Sequence, residues 1–159
     1  MNCYKRLEKS THIVEYFENN KQTLVFSEYY GFQVAFVPMD VVLKETLLSK
    51  VHSKFPIKLA GIIKMDSNRC YKWHQDQKRG VCINMLLSSG ESNCLFGDDS
   101  DSDDQYEITE LKYDRSVFYL FNNQVMHTVI NFDKPRYLFT VEFEEDKDKL
   151  SYSDVIQSL

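Results

Sequence analysis

Glycine and proline are scarce in this chain, with 5 and 3 copies among 159 residues. Collagen-like and low-complexity chains are rich in one or both of these residues, so both classes are excluded. Aromatic residues make up 14% of the chain and hydrophobic residues 43%. A chain of this length and composition predicts one compact domain with a packed core, and its aromatic richness favours strands.

Long hydrophobic runs are also missing. No apolar run approaches the roughly 20 residues that a membrane-spanning helix needs, and the first residues have no apolar stretch of the kind found in secretory signals. We therefore expect a cytoplasmic protein without a membrane segment. The cysteines Cys3, Cys70, Cys82 and Cys94 include no C-x-x-C pair, and we expect free, mostly buried thiols rather than disulfides.

An excess of positive charge is absent as well: 19 Lys and Arg residues stand against 24 Asp and Glu residues, for a net charge of −5. This balance argues against a general binder of nucleic-acid backbones. The most acidic tract, 97–105, predicts a solvated loop between two strands. Asp99, Asp101 and Asp103 partly match a calcium-loop spacing, but Asp104 stands where such a loop has its glycine, and we favour a plain loop.

Helical periodicity is confined to the first third of the chain and its end. One amphipathic helix is predicted over 10–20 and a second from Asp40 to Ser53, and a short C-terminal helix from Asp148 would dock through Leu150, Val155 and Leu159. The remaining pattern consists of short strands separated by polar turns. The predicted strands are 57–66, 71–76, 80–88, 93–96, 106–113, 116–121, 125–131 and 136–144. Such a run predicts an antiparallel sandwich or barrel.

We expect a single domain over 1–159 with three parts. Residues 1–56 would form a helical N-terminal support with one or two strands, 57–144 the β core, and 145–159 a tail or helix.

The most informative segment is His74-Gln75-Asp76. Residues i and i+2 of a strand project to one face, so His74 and Asp76 can present an imidazole and a carboxylate to one point. His127, from another strand, would complete a two-histidine, one-carboxylate set, which leaves metal positions open for oxygen chemistry at Fe(II). A core histidine satisfied by a backbone carbonyl remains the alternative for His127. Arg136 begins an otherwise apolar strand, where a guanidinium needs an anion.

His74-x-Asp76, His127 and, nine residues later, Arg136, within a run of short strands, resemble the Fe(II)/2-oxoglutarate-dependent oxygenase superfamily over 57–144. The resemblance extends to its small aspartyl/asparaginyl hydroxylase-like or phage-type branch. The residues that resemble this branch are Tyr71-x-Trp73-His74-x-Asp76-x-x-Arg79, Ile83-Asn84, Phe121-Asn122 and Asn131. It implies a mainly β fold, the double-stranded β-helix (jelly-roll or cupin-like), with N-terminal helices buttressing one sheet.

The resemblance also implies roles for individual residues. His74, Asp76 and His127 would be the catalytic metal ligands for Fe(II). Arg136 would pair with the distal carboxylate of 2-oxoglutarate, and Asn84 and Tyr71 would contact the same cosubstrate. We assign Arg79 and Trp73 to substrate binding. The implied reaction consumes O2 and 2-oxoglutarate, releases succinate and CO2, and hydroxylates an amino-acid side chain or a small metabolite, with ascorbate as a candidate reductant.

Sequence differences from other branches of the superfamily narrow the predicted substrate class. Glu142 stands where nucleic-acid dealkylating enzymes have a second arginine, Arg136 stands where collagen-type prolyl hydroxylases usually have lysine, and halogenases lack a carboxylate such as Asp76. We therefore expect a protein, peptide or small-molecule substrate and no nucleic acid. Two alternatives stay open: a non-catalytic cupin-like module that binds a metal or anion, and a structural β-sandwich with core histidines. The sequence leaves the oligomeric state unknown.

Overall fold

A computed structural model describes residues 2–97 and 107–159. The strands are β1 (Tyr4–Lys9), β2 (Ser27–Tyr29), β3 (Phe32–Phe36), β4 (Ile57–Met65), β5 (Arg69–Cys70), β6 (Val81–Leu86), β7 (Ser92–Gly97), β8 (Ile108–Leu111), β9 (Val117–Asn122), β10 (Met126–Asn131) and β11 (Arg136–Phe143). The helices are α1 (His12–Asn20), α2 (Met39–Val42), α3 (Thr46–Lys54) and α4 (Tyr152–Ser158). Apart from Gly97, the predicted acidic loop lies outside the described residues, and so do Asp99, Asp101 and Asp103.

The strands form two antiparallel sheets. A seven-stranded sheet has the order β1-β9-β6-β11-β4-β3-β2, and a four-stranded sheet has the order β5-β10-β7-β8. Strand makes up 42% and helix 19% of the described residues. The predicted mainly β, antiparallel class is therefore confirmed. None of the helices in the described part is long and apolar enough to span a membrane.

The central strands are buried on both faces, and their residues alternate between two environments. In β6, Val81, Ile83 and Met85 pack in a core shared with the helices, whereas Cys82 packs in a second core between the two sheets. The first core takes Ile13 from α1 and Leu48 from α3, in addition to residues of β6. The helices therefore cover the outer face of the large sheet, and its inner face is left to line an interior.

The second predicted helix is in fact two helices, α2 and α3, separated at Glu45. This residue takes an extended conformation, with φ −71° and ψ 119°. Its buried carboxylate accepts hydrogen bonds from the Ser10 hydroxyl (2.5 Å) and from the backbone N–H groups of Thr11 (3.0 Å) and Ile13 (2.9 Å). Glu45 leaves the helical conformation and supplies the acceptor that the N-terminus of α1 lacks.

The predicted strand 71–76 is wrong in detail. This segment makes a single isolated bridge, between His74 and His127, and regular pairing is limited to Arg69–Cys70. At the other end of the chain, Leu150 and Val155 are buried as predicted, but Leu159 is 44% exposed and is not a docking point. All four cysteines are free, as predicted, and only Cys70 among them is exposed.

Candidate metal centre

The candidate ligands are brought together by backbone pairing. The N–H of His74 donates to the carbonyl of His127 (3.0 Å), and the N–H of His127 donates back to the carbonyl of His74 (2.9 Å). The N–H of Asp76 donates to the carbonyl of Asn123 (3.0 Å). The loop after β5 is thus held against the turn and strand that follow β9, and this contact places a carboxylate between two imidazoles.

The side-chain geometry suits a single metal ion. Oδ1 of Asp76 lies 3.6 Å from Nε2 of His74 and 3.8 Å from Nε2 of His127. All three candidate ligand atoms lie within 4.8 Å of one another. Both carboxylate distances are shorter than two metal–ligand bonds of about 2.1 Å placed end to end, so one ion can contact the carboxylate and either imidazole.

The hydrogen bonds of the two imidazoles set their tautomers. Nδ1 of His74 donates to the carbonyl of Lys72 (2.6 Å), and Nδ1 of His127 donates to the carbonyl of Val125 (2.8 Å). Because a carbonyl only accepts, each Nδ1 carries a proton, and in the neutral tautomer the lone pair is then on Nε2, on the side of Asp76. Burial lowers the pKa of His127, which favours the neutral form that a metal requires. The alternative for His127 was a core histidine that is satisfied by a backbone carbonyl. The carbonyl of Val125 is such a partner, but it accounts only for Nδ1.

Asp76 is held so that one of its oxygens is available. Its Oδ2 accepts hydrogen bonds from Nε (2.7 Å) and Nη2 (2.6 Å) of Arg79 and from the Asn123 amide (2.9 Å). Its Oδ1 faces the imidazoles of His74 and His127. Two imidazole nitrogens and one oriented carboxylate form a donor set that fits a divalent first-row metal such as Fe(II).

Gln124 ties the loop 74–79, which carries His74 and Asp76 and is called the ligand loop below, to the rest of the fold. Its side-chain amide donates to the backbone carbonyls of Asp76 (3.0 Å) and Arg79 (2.7 Å), and the backbone carbonyl of Gln124 accepts from the Gln75 side-chain amide (2.8 Å). Sequence reasoning missed both Asn123 and Gln124. The only available signal was the run of amide side chains at the end of an apolar strand, and that run also suits an ordinary turn.

A small inner cavity of about 50 Å³ extends from the candidate metal ligands into the space between the sheets. Arg136 lies there, 3% exposed, with its guanidinium carbon 5.7 Å from the centre of the Tyr113 ring. Nε of Arg136 and the hydroxyl of Thr140 are buried and have no hydrogen-bond partner in the described structure. A buried guanidinium with an unpaired N–H is costly, so this cavity is suited to an anion with several acceptor oxygens.

The other predicted cosubstrate residues also line the inner cavity. Asn84 is buried, and its side-chain carbonyl oxygen accepts a hydrogen bond from the Cys82 thiol (3.3 Å). Burial raises the pKa values of Tyr71 and Tyr113, so both hydroxyls stay neutral and able to donate. Tyr113 was missed from the sequence, because it stands between the charged residues Lys112 and Asp114 and has no apolar pattern around it.

A second, outer cavity of about 390 Å³ meets the inner one at the candidate metal ligands. Both cavities are lined by His74, Asp76, Arg79 and Thr140. Arg79 therefore lies between the two cavities, where its guanidinium is bonded to the carboxylate of Asp76. Trp73 is half-buried and lines neither cavity.

The outer wall of this cavity comes from the hairpin of β2 and β3. It supplies Tyr29, Tyr30 and Phe32, and none of these residues was singled out from the sequence. One or two strands had been expected within 1–56 without being located, because the flanking residues of this hairpin do not alternate clearly between polar and apolar.

Comparison with known proteins supports the fold assignment. The chain matches no family profile and no curated protein. Among solved structures it is similar to a Trichoplax adhaerens prolyl hydroxylase in complex with a hypoxia inducible factor peptide fragment, with a TM-score of 0.67 and 14% identity over 94% of this chain and 86% of that one. It is also similar to a Pseudomonas putida prolyl-4-hydroxylase, with a TM-score of 0.60 and 11% identity over 89% and 92% of the two chains.

A third similar structure is HygX from Streptomyces hygroscopicus with nickel, 2-oxoglutarate and hygromycin B bound, with a TM-score of 0.63 and 11% identity over 89% of this chain and 82% of that one. At these identities the likeness concerns the fold. The chain has the double-stranded β-helix fold of the 2-oxoglutarate-Fe(II) oxygenases, as the sequence predicted.

Proposed function

We propose that this chain is an Fe(II)- and 2-oxoglutarate-dependent dioxygenase that hydroxylates an amino-acid side chain, in a peptide or protein, or a small metabolite. One observation carries the proposal. Two imidazole Nε2 atoms and one carboxylate Oδ1 converge at one point, and the cavity beside that point contains the buried, incompletely paired guanidinium of Arg136.

The residues present account for both cofactor and cosubstrate. His74, Asp76 and His127 would hold Fe(II), and Arg136 would hold the distal carboxylate of 2-oxoglutarate. Together with O2, the bound pair supplies an oxidant strong enough to hydroxylate a C–H bond, with release of succinate and CO2. One of the similar structures, HygX, was solved with nickel and 2-oxoglutarate bound, and this supports the assignment of a metal and a cosubstrate.

The protein groups do the positioning in this proposal. In the neutral imidazoles the Nδ1 hydrogen bonds of His74 and His127 place the lone pair on Nε2, and Arg79 and Asn123 turn Oδ1 of Asp76 toward these atoms. Arg136 provides a fixed positive charge in a space largely shut off from water, where an ion pair is stronger than at the surface. Asn84, Tyr71 and Tyr113 line the same space, and each offers a neutral hydrogen-bonding group to a dicarboxylate.

The test is an anaerobic calorimetric titration of 2-oxoglutarate into the metal-free protein, with and without Mn(II). We expect binding that requires the metal and is lost in both Asp76→Ala and Arg136→Ala. Lys112→Ala, a change at an exposed lysine, is the matched control and should bind like the wild type. Binding of 2-oxoglutarate that does not require the metal, or that is retained in both variants, would overturn the proposal.

Turnover separates an enzyme from the non-catalytic cupin-like alternative. With Fe(II), ascorbate and air, the proposed enzyme forms succinate from 2-oxoglutarate, slowly without substrate and faster with it. Metal-dependent binding with no succinate under any of these conditions would identify a binding module instead.

A further inference from the structure

We propose that the outer cavity binds a substrate carrying an anionic group beside an apolar part, and that Lys78 is the residue that selects the anion. This inference rests on the proposed function, because the same cavity is lined by the candidate metal ligands His74 and Asp76. A substrate held there would lie next to the metal, as hydroxylation requires.

The floor of the outer cavity is apolar and comes from neighbouring strands. Val34 of β3 pairs with Ile63 of β4, and Leu59 and Gly61 lie further along the same face of β4. The facing wall is aromatic. Tyr29 and Tyr30 pack edge to face with ring centres 4.6 Å apart, and Phe32 packs against Tyr71 at 5.1 Å. Such a surface suits an apolar or aromatic group.

Four charged residues line the cavity, and three of them are paired. Asp76 is paired with Arg79, and Glu142 accepts from Lys58 at 2.8 Å. Across the described ranges no carboxylate forms an ion pair with the fourth, Lys78. Two pairs of opposite charge largely cancel at a distance, so Lys78 determines the sign of charge that the cavity prefers.

Lys78 is held in place at the cavity by Tyr30. Its Nζ lies 5.0 Å from the centre of the Tyr30 ring and donates to the Tyr30 hydroxyl at 3.4 Å. Tyr30 itself is 70% exposed and has a left-handed backbone, with φ 48°. Gly31, the next residue, has φ 81°, and both residues take the left-handed conformation that the two-residue turn between β2 and β3 requires. A cation held in this way over an aromatic ring loses less freedom when it binds an anion than a lysine in open solvent does.

The experiment compares three probes that share a phenylpropyl group and differ in charge: hydrocinnamate, hydrocinnamyl alcohol and hydrocinnamylamine. Each is titrated anaerobically into protein saturated with Mn(II) and 2-oxoglutarate, so that the metal and Arg136 are already occupied, and binding is measured by calorimetry. We expect the carboxylate to bind about fivefold more tightly than the alcohol, as for a single partly exposed ion pair, and the amine to bind most weakly.

Two variants and one control decide whether Lys78 is responsible. Lys78→Gln should abolish the preference for the carboxylate, and Lys78→Arg should retain it. Lys50→Gln makes the same charge change on α3, away from the cavity, and should behave as the wild type. Equal or tighter binding of the amine, a preference that Lys78→Gln leaves intact, or failure of every probe to bind would each overturn the inference.

A second pair of probes separates the two sources of such an anion. Acetyl-Phe-Asp-amide carries its only carboxylate on a peptide side chain, and acetyl-Phe-Asn-amide is its uncharged match. Discrimination between these peptides that depends on Lys78 assigns the cavity to an acidic peptide. Discrimination confined to hydrocinnamate assigns it to a free small acid.

Failure of the proposed function would be visible separately. If 2-oxoglutarate does not bind with Mn(II), the oxygenase assignment fails. The contrast between wild type and Lys78→Gln in the unloaded protein would still measure the anion preference, because Arg136 is present in both.

Discussion

Arg79 and Asp76 form a two-point contact in which Nε (2.7 Å) and Nη2 (2.6 Å) of the guanidinium both meet Oδ2 of the carboxylate. Only Oδ1 of Asp76 is then left to face the two imidazoles. The guanidinium of Arg79, which was predicted to contact substrate, is thus bonded to the candidate metal ligand Asp76.

We expect Arg79→Ala to weaken Mn(II) binding about tenfold or more, since partners that orient a metal ligand typically contribute that much to metal affinity. The Mn(II) affinity is measured by titration, with electron paramagnetic resonance as the detection method. Arg69→Ala, at an exposed arginine of β5, is the control. Unchanged Mn(II) affinity in Arg79→Ala would mean that Asn123 alone suffices to orient Asp76.

Gln124→Ala should loosen the ligand loop with a small effect on the whole fold. The substitution removes hydrogen bonds to the Asp76 and Arg79 carbonyls, which together contribute about 1 to 3 kcal/mol. Hydrogen exchange should rise across 74–79 and stay constant in β6. Gln22→Ala, at an exposed residue, should change neither. Uniformly faster exchange throughout the chain would show that Gln124 supports global stability instead.

Glu45→Ala should lower the free energy of unfolding by about 2 to 3 kcal/mol, because it removes a charged acceptor from buried N–H groups at the start of α1. Urea unfolding gives the value. Glu15→Ala, at an exposed position of α1, is the comparison and should cost less than about 0.5 kcal/mol. A similar loss in both variants would argue that the effect reflects helix charge alone.

The stability of the metal-free protein should fall in mild acid. The pKa of His127 is lowered in the folded state by burial, whereas an unfolded histidine titrates near about 6.5. Below that value the unfolded chain binds a proton first, so the free energy of unfolding falls as the pH drops, until the folded pKa is also passed. Urea unfolding at about pH 7.5 and about pH 5.5 measures the difference. It should shrink in His127→Gln and persist in His12→Gln.

Iodoacetamide at about pH 8 should modify Cys70 rapidly and the other three cysteines slowly. Cys70 is exposed, whereas burial raises the pKa of Cys82 to about 11 and that of Cys94 to about 12. Mass spectrometry of the labelled protein counts the adducts, and labelling in urea supplies the total. Fast modification of Cys94 in the native protein would mean that the inner cavity opens to solvent more than its burial indicates.

The parts of the site that could be predicted are those with a local or an energetic signature. His74 and Asp76 are two residues apart, and Arg136 is a charge in an apolar strand, so spacing and burial cost are both readable from the sequence. The strand assigned to 71–76 was wrong, yet a single bridge to His127 was enough to bring His74 to the site.

The parts that were missed depend on contacts distant in the chain. Gln124 acts through backbone carbonyls, whose positions leave no mark in a side-chain pattern. Tyr29 and Tyr30 reach the outer cavity only because β3 pairs with β4, about thirty residues later in the chain. The break between α2 and α3 has a similar cause, since the partner of Glu45 is the start of a helix more than thirty residues earlier.

Strand β11 alternates along its length: Arg136, Leu138 and Thr140 line the inner cavity, whereas Phe139, Val141 and Phe143 pack in the core beneath the helices. Substitutions at neighbouring positions of this strand should therefore affect different properties of the protein. A mutational scan of β11 should give two interleaved profiles, one recording abundance in the cell and the other turnover per molecule. Under the proposed function, libraries restricted to the even-numbered positions from 136 to 140 would vary the surroundings of the proposed cosubstrate while leaving the core positions Phe139, Val141 and Phe143 unchanged.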